Sequence, residues 1–257
     1  MSRFICADAY PIIHRAHGIG LSIAKRLSSR ADWTIHIIDI NEEGGKEVAN
    51  DLPRTTFHHA NVTNYKRLST AFQNAFQAQG QLDFIFANAG FFERGSFYSP
   101  QPAEGEAVSP PPEPEMITID LSLKDGALGL MRNIAKPFRA DGIRVNAICP
   151  GVTRTSLIDD QVLDRFPQIF VELERVSETV VQLVDGGEKG QGMTDAWGTH
   201  VPSAKMFGLA VEISDNGNRY FRDQHDFADE GMKTVFGSVD LSGNMENILK
   251  DEANSIA

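Results

Sequence analysis

Short apolar runs separated by helical patterns restrict this chain's fold more than any other feature. TIHIIDI (34–40) is rich in β-branched residues and reads as a strand. TTFHHANV (55–62), LDFIFANAG (82–90), IRVNAICPG (143–151) and LAVEIS (209–214) are further strand candidates, with LAVEIS the last. LDFIFANAG and IRVNAICPG have the continuous apolar character of buried strands. YPII (10–13) is a weaker candidate for the first strand. Between these runs the period changes. Ile23, Ala24 and Leu27 share a face in residues 20–30, and Leu68, Ala71, Phe72, Ala75 and Phe76 do so in 64–79. Asn41 caps a helix with glutamates in its first turn, and residues 174–184 read as helical. In DGALGLMRNIAKPFR the residues Ala127, Leu130, Met131, Ile134 and Phe138 form one stripe. Strands that alternate with helices imply parallel βαβ units. The expected fold is therefore a three-layer, doubly wound parallel sheet of Rossmann type, one domain over residues 1–257.

One segment breaks the rhythm. Residues 99–115, SPQPAEGEAVSPPPEPE, hold six prolines and four glutamates and read as a disordered-looking, solvated loop. The region from about 185 to 257 is expected to cover a substrate.

Bulk properties exclude several function classes. A net charge of −11 argues against non-specific binding to nucleic acid or anionic lipid. Cys6 and Cys149 make neither a disulfide framework nor a metal cluster, so no metal is expected. No run approaches the roughly 18 apolar residues of a membrane span. The N-terminal MSRFICADAYP lacks the apolar core of a signal peptide. These features together predict a reduced, cytoplasmic protein.

In a doubly wound sheet, ligands sit at the carboxyl ends of the strands, and the first strand-to-helix turn cradles phosphate. Gly18 and Gly20 stand in that turn, where a backbone can approach a pyrophosphate at a helix N-terminus. Asp39 lies 19 residues after Gly20 (39 − 20), near the ~20 expected of a carboxylate that accepts from adenosine ribose hydroxyls. It would repel a 2′-phosphate, so NAD is favoured and NADP is not excluded. Arg15 and His17 are nearby cations that would soften the preference. Asp39 is equally readable as a strand-end or helix-capping residue.

GIG (18–20), Asp39, ANVT (60–63), ANAG (87–90), LKDGALGL (123–130) and GIRVNAICPG (142–151) follow one another along this pattern. In that order they resemble the classical short-chain dehydrogenase/reductase family, over roughly residues 10–98 and 116–215. The resemblance implies hydride transfer between NAD(P) and a secondary alcohol or ketone. It also implies roles for the matching residues. Gly18, Ile19 and Gly20 would line the pyrophosphate. Asn61 and Val62 would lie near the adenine, with Asn61 in place of the usual aspartate. Asn88, Ala89 and Gly90 would touch the adenine ribose, and Pro150, Gly151, Thr153 and Thr155 would hold the nicotinamide amide. Asn88 and Asn146 also have a plain reading as bridges between strand backbones.

Two family features are missing. The first glycine of the family's turn falls on His14. The family's catalytic tyrosine, four residues before a lysine, has no counterpart. Residues four after Tyr10, Tyr65, Tyr98 and Tyr220 are His14, Ser69, Pro102 and Gln224. Lys124 matches the lysine, but Asp120 stands four residues before it, and Ser122 matches a catalytic asparagine weakly. Asp120, Ser96, Tyr98, His200 and His225 are the substitute acids or bases within the chain. Only 36 residues separate Asn88 from Lys124 (124 − 88), so one helix, one strand and the Ser/Tyr loop of the family are expected to be absent. MITIDLS (116–122) then reads either as the start of the lost helix or as a replacement strand. A homo-oligomer is expected by resemblance, with one of its usual interface helices missing. The alternative to a working oxidoreductase is a catalytically impaired or non-redox dinucleotide-binding protein on the same fold.

Overall fold

The computed structural model describes residues 2–8, 18–88, 117–155 and 170–222. The 99–115 loop, Tyr10–Ile13, His14 and residues 223–257 lie outside them. Four strands, β1 (Ser2–Asp8), β2 (Trp33–Asp39), β3 (Thr55–His59) and β4 (Phe84–Ala87), form a parallel sheet in the order β3-β2-β1-β4. β1 is central, with Cys6 opposite Ile37 on one side and Phe86 on the other. This corrects the expected first strand: it is the FICA run, not YPII, that fills the central position. YPII stands closer to the glycine turn, but pairing on both edges decides which segment is central, and that is a tertiary property.

All seven residues of β2 are buried. Helix α1 (Ile19–Ser28) covers this sheet with Ile23, Ala24 and Leu27, which cluster with Trp33, Ile35 and Ile37. Each such aliphatic side chain, fully buried, contributes about 1.5–3 kcal/mol. Helix α2 (Glu42–Asp51) begins at Asn41, whose side chain accepts from the Gly44 N–H as expected. Gly45 lets α2 lie directly on the Phe57 ring, which occupies the space a side chain there would need. Helix α3 (Tyr65–Gln79) is capped by Asn64 and ends at Gly80 in a left-handed conformation. Its Ala71 and Ala75 are buried against Ile38 and Ala60, while Phe76 stays exposed.

The second half of the molecule has its own sheet. β5 (Ala147–Pro150) pairs parallel with β8 (Ala210–Ile213), and β8 pairs antiparallel with β9 (Arg219–Phe221). LAVEIS is therefore not the final strand. A two-residue antiparallel pair, β6 (Met193–Thr194) with β7 (His200–Val201), precedes it. Helix α4 (Ile117–Ala140) and helix α5 (Leu173–Asp185) complete the described elements.

Among the described residues β4 and β5 are not hydrogen-bonded to each other, and no strand lies between them. Both were expected to be buried. Instead β4 alternates half-buried and exposed residues, with Ile85 52% exposed, and β5 is half-buried throughout. What holds the halves together is helical. α1 packs on α5, and Phe84 and Phe86 of β4 and Ile148 of β5 pack on the same α1-centred cluster.

α4 settles the reading of residues 116–122. Ile117–Ser122 is helix rather than strand, continuous through Lys124 to Ala140. The β-branched start is overridden by the helix it extends. The expected apolar stripe of α4 is only partly covered. Met131 and Ala135 are buried and Ile134 is half-buried, but Leu130 is 63% exposed and Phe138 is also exposed.

Candidate nucleotide site

The carboxyl ends of β1, β2, β3 and β4 point the same way, because the four strands are parallel. α1 begins at that end. Gly18, its N-cap, has φ 109 and ψ −160, a region open to glycine and strained for other residues. No side chain caps the α1 N-terminus among the described residues, and its first turn holds no acid. The first N–H groups of α1 are thus left to meet an anion, at the positive end of the helix dipole. Gly20 is buried, and Ile19 reaches the cluster of Val171, Val176 and Ile213. This cradle fits a pyrophosphate.

The segment after β5 arrives at the same place. A side chain on Gly18 would meet Thr155 Cγ2 at 3.6 Å, so the glycine turn and the Pro150–Thr155 segment are neighbours although 137 residues separate them (155 − 18). Gly151 donates its N–H to the Ile213 carbonyl at 2.9 Å, and Val152 accepts from the Val171 N–H at 2.8 Å. A Cβ on Gly151 would lie 3.2 Å from Val171 Cγ2, so a side chain there would require Val171 to shift slightly. Thr153 is buried, and its hydroxyl donates to the Gly151 carbonyl at 3.1 Å. Thr155 stands beside Gly18, whereas Thr153 secures the turn.

Asp39 closes β2 and is 5% exposed. Its Oδ1 accepts from the Asn41 N–H at 2.7 Å, and its carbonyl accepts from the Ala60 N–H at 3.1 Å. The carboxylate is thus fixed at the strand end, in line with the strand-end reading. Asn61 follows at the end of β3. Its Oδ1 accepts from both the N–H and the hydroxyl of Thr63, at 2.9 and 2.8 Å. The group that Asn61 turns outward is therefore its amide N–H₂, a donor where the usual aspartate would be an acceptor. Val62 is a half-buried turn residue, and Asn88 is half-buried just past β4. Asn146 is a strand bridge: its amide donates to the Met206 carbonyl and accepts from the Leu209 N–H.

Nearby charge is already paired. Exposed Glu42 at the α2 start is held below the usual carboxylate range, first by its hydrogen bond from Lys46 (2.6 Å), then by the Lys46 charge and His59. His200 bonds Thr194 across the β6–β7 pair at 2.9 Å, a hairpin contact rather than a catalytic one. Ser122 and Lys124 are placed on α4, with only their backbone described. Ala89, Gly90, Arg15, His17, Ser96, Tyr98 and His225 fall outside the described residues. Among the described residues no group of three or more His, Cys, Asp or Glu side chains is placed to hold a metal. Nor is any helix there long and apolar enough to cross a membrane.

Sequence reasoning missed the central role of residues 2–8 and the Gly18–Thr155 contact. The FICA run was a signal for the first. Nothing local signals the second, since it joins positions far apart in the chain.

Comparison with known proteins identifies the family and the fold. A family model described as Enoyl-(Acyl carrier protein) reductase matches residues 13–107 and 121–179. The chain is similar to the short-chain dehydrogenase/reductase prx7 of Penicillium rubens, 44% identical over 281 residues that cover 90% of this chain and 99% of that one. That alignment exceeds the 257 residues of this chain by 24 (281 − 257), so prx7 carries at least that many positions without a counterpart here. Among solved structures the fold is similar to a 3-ketoacyl-(acyl-carrier-protein) reductase from Brucella melitensis complexed with NADH. Its TM-score is 0.58, with 16% identity over 84% of this chain and 98% of that one. A short chain dehydrogenase from Burkholderia cenocepacia J2315 in complex with NADP gives a TM-score of 0.59, with 17% identity over 82% of this chain and 96% of that one. The chain belongs to the short-chain dehydrogenase/reductase family of NAD(P)-dependent oxidoreductases.

Proposed function

We propose that this chain binds NAD(H) at the carboxyl ends of its strands and transfers hydride between the nicotinamide and a secondary alcohol or ketone, slowly. The observation that carries the reading is Gly18, at φ 109, heading a helix N-terminus that no described side chain caps, beside Thr155. Gly18, Ile19 and Gly20 hold the pyrophosphate, and Asp39 accepts from the adenosine ribose. Asn61 and Val62 border the adenine, with Asn88, Ala89 and Gly90 beside the ribose. Pro150, Gly151 and Thr155 orient the nicotinamide amide, and Thr153 secures their turn. The fixed Asp39 carboxylate disfavours a 2′-phosphate, so NAD is preferred to NADP. Residues 1–257 act as one Rossmann-type domain, with the region after 185 over the substrate, in the cytoplasm.

When bound, the nicotinamide accepts or supplies the hydride. The hydroxyl proton must then leave to a group of the chain or to water. The sequence holds no Tyr-x-x-x-Lys to take it. Loss of a positioned acid or base costs about 10²- to 10⁴-fold in rate. Lys124 is the family-type catalytic residue that remains, with Ser122 a weak second. The prx7 alignment, longer than this chain, supports the reading that the Ser/Tyr segment is absent.

The missing tyrosine also favours a second reading, a dinucleotide-binding protein without turnover. One experiment separates them. NADH binding is titrated by fluorescence, and NADH oxidation is then followed against a ketone panel. Saturable binding with slow turnover that falls in Lys124→Ala supports the oxidoreductase. Binding without turnover supports the second reading, and absence of binding ends both.

A further inference from the structure

We propose that the cavity between β3 and α3 binds a small dianionic oxyanion, phosphate either free or as a monoester. The cavity is an open, solvent-facing depression of about 450 Å³, within the ~300–1,000 Å³ range of small-molecule sites. Its lining includes His58, Lys66, Arg67, Thr70 and Asn74, and no carboxylate. This is unexpected in a chain with 35 acidic and 24 basic residues.

The cations there are uncommitted. Arg30, Lys46, Arg175, Arg219 and Arg222 each pair with a carboxylate. Lys66 and Arg67 make no ion pair among the described residues. His59, also in the lining, lies 3.7 Å from Glu42, which is already bonded to Lys46. Lys66, Thr70 and Asn74 recur every four residues along α3, so one helical face presents them on successive turns.

The edge strand supplies the opposite wall. His58 Nε2 lies 3.0 Å from His36 Nδ1, which leaves Nδ1 as the ring nitrogen that His58 offers to the cavity. A fork-shaped guanidinium, an ammonium, an amide and an imidazole match the several acceptor oxygens of a phosphate better than the two of one carboxylate. No lining residue belongs to the nucleotide set, so this inference stands apart from the proposed function.

The test is calorimetric titration of the full chain with sulfate, inorganic phosphate and glycerol phosphate, chloride being exchanged to hold ionic strength constant. One saturable site is expected, weakened at least tenfold by Arg67→Ala and by Lys66→Ala and unchanged by Lys25→Ala. Melting temperatures of the variants control for folding, and Arg67→Gln replaces Arg67→Ala if the latter unfolds. Tighter binding of glycerol phosphate than of phosphate identifies an ester as the ligand, and the reverse identifies the free ion. Equal affinity with and without saturating NADH supports a separate site. Competition by NADH, heats that do not saturate, or affinity unchanged in both α3 variants would overturn the proposal.

Discussion

β2 and β4 flank the same central strand, yet all of β2 is buried while half of β4 faces out. The difference lies in their far sides. β2 is flanked again by β3, covered on one face by α1 and α2 and on the other by α3, so its residues find cover on both faces. β4 has no further strand among the described residues, and its outward side chains have no wall to meet. Burial of a strand is thus set by its neighbours as much as by its composition. FIFA and AICP are as apolar as TIHIID, but an apolar strand at an edge stays half wet. The nucleotide cradle survives because it depends on α1, β2 and the β5 turn, all supported by the intact α1–α5 packing.

The sharpest way to break this contrast is truncation on each strand. Ile35→Ala in β2, at a fully buried position, is expected to lose about 2–5 kcal/mol in urea unfolding. Ile85→Ala in β4 should lose less than about 1 kcal/mol. Equal losses would mean that β4 is covered after all. Gly18→Ala comes next, with a backbone cost of about 1–3 kcal/mol at φ 109, together with weakened NADH binding. A stable variant that retains NADH affinity would detach the cradle from the nucleotide.

Acid offers a graded test on the edge strand. Burial beside His36 pushes the His58 imidazole below its usual 6.5. The unfolded chain therefore takes up this proton first as pH falls. Stability is full above about 6.5 and declines from there down through the lowered folded value. His58→Gln should flatten that part of the stability–pH curve, while Ile85→Ala should leave its shape alone. The smallest effect belongs to the surface tie between the helices that bridge the two sheets. Arg30 reaches both Asp185 oxygens, at 2.9 and 3.0 Å, and Arg30→Ala should cost only about 0.2–1 kcal/mol, less at high salt.

Much of the site was legible before the fold. Gly18, Asp39 and Gly151 lie at strand ends or turns where their residue types predict them. Asn41 caps the helix its position announces. The misreadings have one cause. YPII as first strand, and cover for Leu130 and Phe138, both depend on which partners the chain finds in three dimensions, which also decides between the helix and strand readings of MITIDLS.

By itself the sequence determined the αβ alternation, the caps, the glycine turn, the family and the lack of a Tyr-x-x-x-Lys. These follow from side-chain period, backbone freedom and residue identity, which are local. Only the tertiary structure decided that residues 2–8 are central, that Gly18 meets Thr155 and that, among the described residues, β4 and β5 fall in separate sheets. Those outcomes depend on which surfaces compete successfully for the same cover, and that competition is resolved only when the whole chain packs.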